Sequence, residues 1–125
     1  MHELSVCQAL IRQIEIIAEE QHAVDVKTVY LRIGPLSGIE PALLAQAYPL
    51  ASAGSVAFGA ELRIEIAAVR VRCQHCHAET EVLPNRLICG ECGDWHTQLI
   101  GGDEMLLTRI ELVKRSAVLM EAQHV

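Results

Sequence analysis

Apolar residues recur every three or four positions at the start of the chain. Leu4, Cys7, Ile11, Ile14 and Ala18 fall on one stripe, widened by Leu10 and Ile17, while Arg12, Gln13, Glu15, Glu19 and Glu20 lie off it. That period predicts an amphipathic helix over residues 3–22. Cys7 sits on the stripe, which places it in the core as a small hydrophobe. From Val26 to Ile33 the period shortens to two: Val29, Leu31 and Ile33 alternate with Tyr30 and Arg32, the pattern of a strand. Gly34-Pro35 ends it and Ser37-Gly38 extends the turn. A second helix is expected from Pro41, since proline suits the first helical position, with Glu40 at the N-cap beside the positive end of the dipole. Its apolar side reads as Leu43, Leu44, Ala47 and Leu50, and Pro49 is expected to kink the helix, because residues 50–53 keep helical character. Residues 61–71 give the clearest alternation, Leu62, Ile64 and Ile66 against Glu61, Arg63 and Glu65. A last strand follows over residues 105–113, with Leu106, Thr108, Ile110 and Leu112 on one side and Arg109 and Glu111 on the other. From Lys114 onward the pattern fades, apart from Val118, Leu119 and Met120, which suit a short helix.

Each strand has an apolar face and a charged one. The charged faces carry Arg32, Arg63, Glu65, Arg109 and Glu111, which can pair across strands. Two helices covering the apolar side make an α+β fold, two helices packed on a three-stranded sheet. Residues 70–102 break this pattern: they are poor in apolar side chains and hold four of the five cysteines. The expected organisation is an α+β domain from residues 1–69 and 103–125, with a small zinc-ribbon-like domain inserted at 70–102. Such an insert buries too little surface to fold alone, so its order must come from a metal. Gly101-Gly102 reads as a hinge at its exit, and a hinge beside an insert permits a homodimer by exchange between chains.

Within the insert, Cys73-Gln-His-Cys76 and Cys89-Gly-Glu-Cys92 are separated by twelve residues. Two Cys-x-x-Cys turns at this spacing bring four thiolates around one ion in a tetrahedron, which suits Zn²⁺. Two disulfides, a redox pair and an S₄ iron site are the rival readings. Disulfides would need an oxidising compartment, and residues 1–5 do not begin an export signal, so the cytoplasm is the expected setting.

The chain has 125 residues, is 51% hydrophobic and carries a net charge of −6. That length supports an ordinary core. No apolar run is long enough to span a membrane. The negative charge, deepened by a zinc tetrathiolate, repels phosphate backbones, and one Trp, two Tyr and one Phe offer little for base stacking. No nucleic-acid or membrane partner is therefore expected. Nor is an enzyme: there is no nucleophile–base pair, no phosphate loop and no open position on the zinc.

The first residues hold a second candidate site. The Met1 amine, the His2 backbone nitrogen and the His2 imidazole can chelate one ion in fused planar rings. A planar nitrogen-rich set suits Ni²⁺ or Cu²⁺ and is poor for tetrahedral Zn²⁺. One position remains for the Glu3 or Glu40 carboxylate, or for an imidazole such as His96. The bland alternatives are a solvated His2 and a Glu3 that merely complements the helix dipole.

Taken together, Met1-His2-Glu3-Leu4-Ser5, Arg32-Ile33-Gly34-Pro35-Leu36-Ser37-Gly38, the paired Cys-x-x-Cys and Gly102-Asp103-Glu104-Met105 resemble the HypA/HybF family, nickel metallochaperones of hydrogenase maturation. The resemblance covers about residues 1–114. It implies Ni²⁺ as cargo on Met1 and His2, with Glu3 the family's acidic third residue and Glu40 a carboxylate near the nickel. It implies structural Zn²⁺ on Cys73, Cys76, Cys89 and Cys92. It also implies a HypB-type maturation GTPase as partner and the NiFe-hydrogenase large subunit, in some bacteria urease, as recipient. The family's histidines beside the cysteine pairs have only partial counterparts in His75, His77 and His96. The alternative is a zinc-ribbon adaptor that binds protein or RNA without nickel.

Overall fold

The structure is a computed structural model and describes residues 2–114. Met1 and the expected short helix around Val118–Met120 lie outside the described residues. The element order is α1 (Glu3–Glu20), β1 (Ala23–Ile33), α2 (Pro41–Ser52), β2 (Glu61–Ile66), β3 (Val69–Cys73), β4 (Glu79–Val82), β5 (Thr97–Gly101) and β6 (Met105–Lys114). They form two three-stranded sheets, ordered β2-β1-β6 and β4-β3-β5. The described residues divide into two compact units, one of residues 2–31, 40–63 and 107–114, the other of residues 32–39 and 64–106.

The first unit has the expected α+β character. The α1 stripe buries Cys7, Leu10, Ile11, Ile14 and Ala18, while Leu4 stays exposed. Central strand β1 contributes Val29 and Leu31, both fully buried. Cys7 packs against α2 and donates its S–H to the Leu44 carbonyl at 3.5 Å; burial, with the Glu3 charge second, pushes its thiol pKa up. That is the behaviour of a buried hydrophobe, not of a reactive thiol.

Helix α2 runs through Pro49 to Ser52, as expected, with Pro41 at its start and Glu40 at the N-cap. Its buried face differs from the expected one. Leu44, Tyr48 and Ser52 are buried, while Leu43 and Leu50 face solvent. Leu and Ala surround this helix on several sides, so periodicity alone could not choose a face. The choice follows Tyr48, whose hydroxyl donates to the Ala57 carbonyl at 2.9 Å from within the core. No residue of β6 is fully buried either; an edge strand gains cover on one side only. One of the expected cross-strand charge pairs forms, Arg32–Glu65 at 3.4 Å, whereas Arg109 pairs with Glu111 within β6, also at 3.4 Å.

The expected strand over residues 61–71 is two strands in two sheets. Ala67-Ala68 breaks it, and alanine is a weak strand former. Beyond the break, β3 pairs antiparallel with β4 on one side and with β5 on the other. Arg72 stands opposite Glu79 at 2.7 Å and Arg70 opposite Glu81 at 3.7 Å. Within residues 70–102 the buried apolar side chains are Val71, Cys73 and Cys89. Gly102, expected to be a hinge, is instead fixed inside its unit. Its carbonyl accepts the Leu36 N–H at 2.7 Å and its own N–H donates to Glu104 Oε2 at 3.0 Å.

Candidate metal centre

Cys73–Ala78 and Cys89–Asp94 are two copies of one loop. In each, the first cysteine's N–H donates to the carbonyl five residues on, at 2.9 Å from Cys73 to Ala78 and 2.9 Å from Cys89 to Asp94. The residue four on returns its N–H to that cysteine's carbonyl, at 3.0 Å from His77 and 2.9 Å from Gly93. This closure demands a left-handed backbone, with φ of 65° at His77 and 78° at Gly93. Glycine takes it freely, whereas a residue with a Cβ pays roughly 1–2 kcal/mol.

The loops also aim backbone donors at the sulfurs. Cys73 Sγ accepts the N–H groups of His75 and Cys76, both at 3.3 Å. Cys89 Sγ accepts those of Glu91 and Cys92 at 3.4 and 3.5 Å. Such donors favour the thiolate over the thiol. The Cys92 N–H, then that of Glu91, draws the Cys89 thiol down to about 7 against burial. At Cys92 the Asp94 N–H pulls the same way, but burial and the three neighbouring thiols outweigh it and push that thiol up to about 12. Four thiolates crowded together without a cation repel one another, which is the condition a dication relieves.

Their geometry fits zinc. The four sulfurs lie within 4.8 Å of one another, with Cys73–Cys92 and Cys76–Cys89 both at 3.6 Å. A Zn–S bond of ~2.3 Å gives a tetrahedron with edges of about 3.8 Å. Cys73 and Cys89 are buried, Cys76 and Cys92 exposed. The second loop is tied to the sheet: Gly90 N–H donates to Thr80 Oγ1 at 3.0 Å, and Thr97 Oγ1 donates to the Leu87 carbonyl at 2.7 Å. Four sulfurs would fill the coordination sphere of one Zn²⁺, the donor set of a structural site.

The other candidate ligands are not members of that cluster. His2 is exposed, in the left-handed region at φ 54°, and forms the N-cap of α1 without a side-chain cap bond. Glu3 is buried, and its Oε2 accepts the Glu40 N–H at 3.1 Å. That bond satisfies a donor at the start of α2 and joins the starts of both helices, a structural role that the sequence reading did not contain. The Glu40 side chain itself is exposed. His96 belongs to the second unit, where its ring is held by Asp94 Oδ1 at 2.7 Å and stacks on Trp95. The His96 N–H first, and the ring second, hold the Asp94 carboxyl below the usual carboxylate range. Among the described residues, His2, Glu3 and Glu40 do not form a converged ligand set as the cysteines do.

Residues 1–112 match the family described as HypA, hydrogenase/urease nickel incorporation, metallochaperone. The hydrogenase maturation factor HypA of Nitrosospira multiformis is 48% identical over 113 residues, covering 90% of this chain and 98% of the relative. That of Aquifex aeolicus is 41% identical over 112 residues, covering 90% and 97%. Among solved structures, the solution structure of the Ni metallochaperone HypA from Helicobacter pylori aligns with a TM-score of 0.71 at 26% identity, covering 92% of this chain and 100% of that one.

Proposed function

The chain belongs to the HypA family, and from that premise we propose that it carries Ni²⁺ at its amino terminus and hands it to a metalloenzyme under maturation. The Met1 amine, the His2 backbone nitrogen and the His2 imidazole are the ligands, and Glu3 orders the start of α1 beneath them. The Glu3 carboxylate is the first candidate for the last position and Glu40 the second. The recipient is the NiFe-hydrogenase large subunit, or urease, and a HypB-type GTPase drives delivery. No helix among the described residues is long and apolar enough to cross a membrane, and the cytoplasm is the proposed setting. The cysteine tetrad holds Zn²⁺ for shape and takes no part in carriage.

One observation supports this reading above the rest: His2 heads α1 exposed, with no cap bond committing its imidazole. Directly below, Glu3 is anchored to Glu40 N–H, so the chelating residue sits on a fixed helix start. An ion held by a short open chelate can be released to a partner, while one closed in by four sulfurs cannot readily be. Untagged His2→Ala protein should therefore lose the tightest class of bound nickel in calorimetry. Loss of an outer-shell partner alone costs ~10–100-fold in metal affinity, so loss of a ligand should exceed that. Zinc content should stay at one per chain. Unchanged nickel affinity would leave a zinc-stiffened adaptor as the function.

A further inference from the structure

Each three-stranded sheet has two edges: β2 and β6 in one, β4 and β5 in the other. Three of these strands carry charged side chains: Glu61, Arg63 and Glu65 in β2, Glu79 and Glu81 in β4, and Arg109, Glu111 and Lys114 in β6. Charges along an edge keep foreign strands away. Strand β5, Thr97-Gln-Leu-Ile-Gly101, carries none and has no proline. It pairs with β3 on one side, and among the described residues no strand pairs with its other side. At its end an open cleft of about 600 Å³ lies wholly within the second unit. Ile66, Ile100 and Leu106 line it and are 56%, 38% and 47% exposed. Arg32 and Arg70 line it too, and each guanidinium is engaged through one nitrogen: Arg32 Nε by Glu65 at 3.4 Å, a terminal nitrogen of Arg70 by Glu81 at 3.7 Å. The carboxylates of the cleft already have partners, Glu65 in Arg32 and Glu104 in the Gly102 N–H at 3.0 Å.

We infer that the β5 edge and this cleft bind an extended segment of another protein, one that carries an apolar side chain beside a carboxylate. The segment's backbone adds a strand to β5. Its apolar side chain covers Ile66, Ile100 and Leu106. Its carboxylate meets the remaining N–H groups of Arg32 and Arg70, since a guanidinium fork matches two oxygens. Charge selects an acidic segment: the open donors of the cleft are cationic, while its anionic acceptors are taken. The edge selects a polypeptide over a small molecule, which would leave the outward N–H and C=O groups of β5 unpaired. The site uses no metal ligand, so it stands whether or not the chain carries nickel.

The probe is a random heptapeptide library displayed on phage and selected on the zinc-loaded full chain. Retained peptides should share an apolar residue next to Asp or Glu. A synthetic peptide of that consensus should slow amide exchange in Thr97–Gly101. The Arg32→Gln/Arg70→Gln double variant should bind it at least ~10-fold more weakly, the scale of a lost hydrogen bond to a charged group. Ile100→Lys, which places a charge on the edge, should also weaken it. Zinc at one per chain in each variant shows that the sheet remains formed. Replacing the peptide's carboxylate by its amide tests the same contact without touching the fold, and should cost the same ~10-fold. A library that yields no binder overturns the site, as does a consensus that is basic or lacks a carboxylate. So does a peptide held equally by the native chain and the double arginine variant, or one that leaves exchange in β5 unchanged.

Discussion

Replacing Cys73 by Ser is expected to strip the zinc and to melt the β4-β3-β5 sheet while leaving α1 and α2 folded. The sheet's own apolar core is small, since its buried apolar side chains are Val69, Val71, Cys73 and, from the second loop, Cys89, and two of those are the proposed zinc ligands. Its two ion-paired strand positions, Arg72–Glu79 and Arg70–Glu81, are exposed to solvent screening and contribute little. Metal binding, by contrast, supplies on the order of 10 kcal/mol to a module of this kind. The loss of one sulfur therefore removes more than everything else in the sheet can replace. Cys73 is also the end of β3 and the acceptor for two backbone donors, so the first loop loses its anchor as well as its ion. The measurements are zinc content and amide hydrogen exchange. Exchange in β3 and β5 should rise to the unprotected rate, and that in α1 should not change. Acidification should act with the same sign, because protons compete with zinc for the thiolates. Retained protection of β3 in metal-free protein would contradict this.

Gly34→Ala is expected to be the most damaging single substitution away from the cysteines. A Cβ at this position would stand 2.1 Å from the Gly102 carbonyl oxygen and 2.8 Å from the Asp103 nitrogen. Both neighbours are backbone, so no side chain can swing aside. The same contact carries two hydrogen bonds, Gly34 N–H to the Glu104 carbonyl at 2.8 Å and Leu36 N–H to the Gly102 carbonyl at 2.7 Å. Forcing the strands apart adds overpacking strain to the loss of both bonds, together about 3 kcal/mol or more. Gly54→Ala is the control. Gly54 has φ of 78° but nothing within 4 Å of an added Cβ. It should cost only the left-handed backbone penalty, about 1–2 kcal/mol. Denaturant melts of both variants check the difference; equal losses would mean that the close approach at Gly34 does not matter.

The parts of this molecule that were legible in the sequence are those governed by local spacing. Cys-x-x-Cys is a rule about a single turn, and two such turns announce one ion. The stripe from Cys7 to Ala18 and the alternation from Val29 to Ile33 each name a buried face without outside help. Where local pattern is degenerate, the reading fails. Helix α2 is apolar on several sides, so Leu43 and Leu50 looked as eligible for the core as Leu44. Within residues 61–71 the apolar positions shift from even (Leu62, Ile64, Ile66) to odd (Val69, Val71) across Ala67-Ala68, so a change of phase marked the passage from one sheet to another and a reading of one continuous strand ran over it. Contacts between distant residues leave no periodic trace at all. The Glu3–Glu40 bond spans 37 positions, and the Gly34–Gly102 approach is longer still. Gly101-Gly102 looked like a hinge because glycine permits freedom, whereas Gly102 is needed for a close approach and a positive φ of 109°. The Asp94–His96 bond had a short-range cue, a carboxylate two residues before a histidine, but that pair is too common to carry weight on its own.

The division of labour between a closed sulfur site and an open amino-terminal one is tested most directly by adding a single residue before Met1. The extension turns the free amine into an amide nitrogen and moves the imidazole out of register, but touches no cysteine. Nickel and zinc are then measured together on native and extended protein, by calorimetry and metal analysis. The expected result is loss of the tightest nickel class with zinc unchanged at one per chain. Nickel bound as tightly by the extended chain as by the native one would contradict the account at its root.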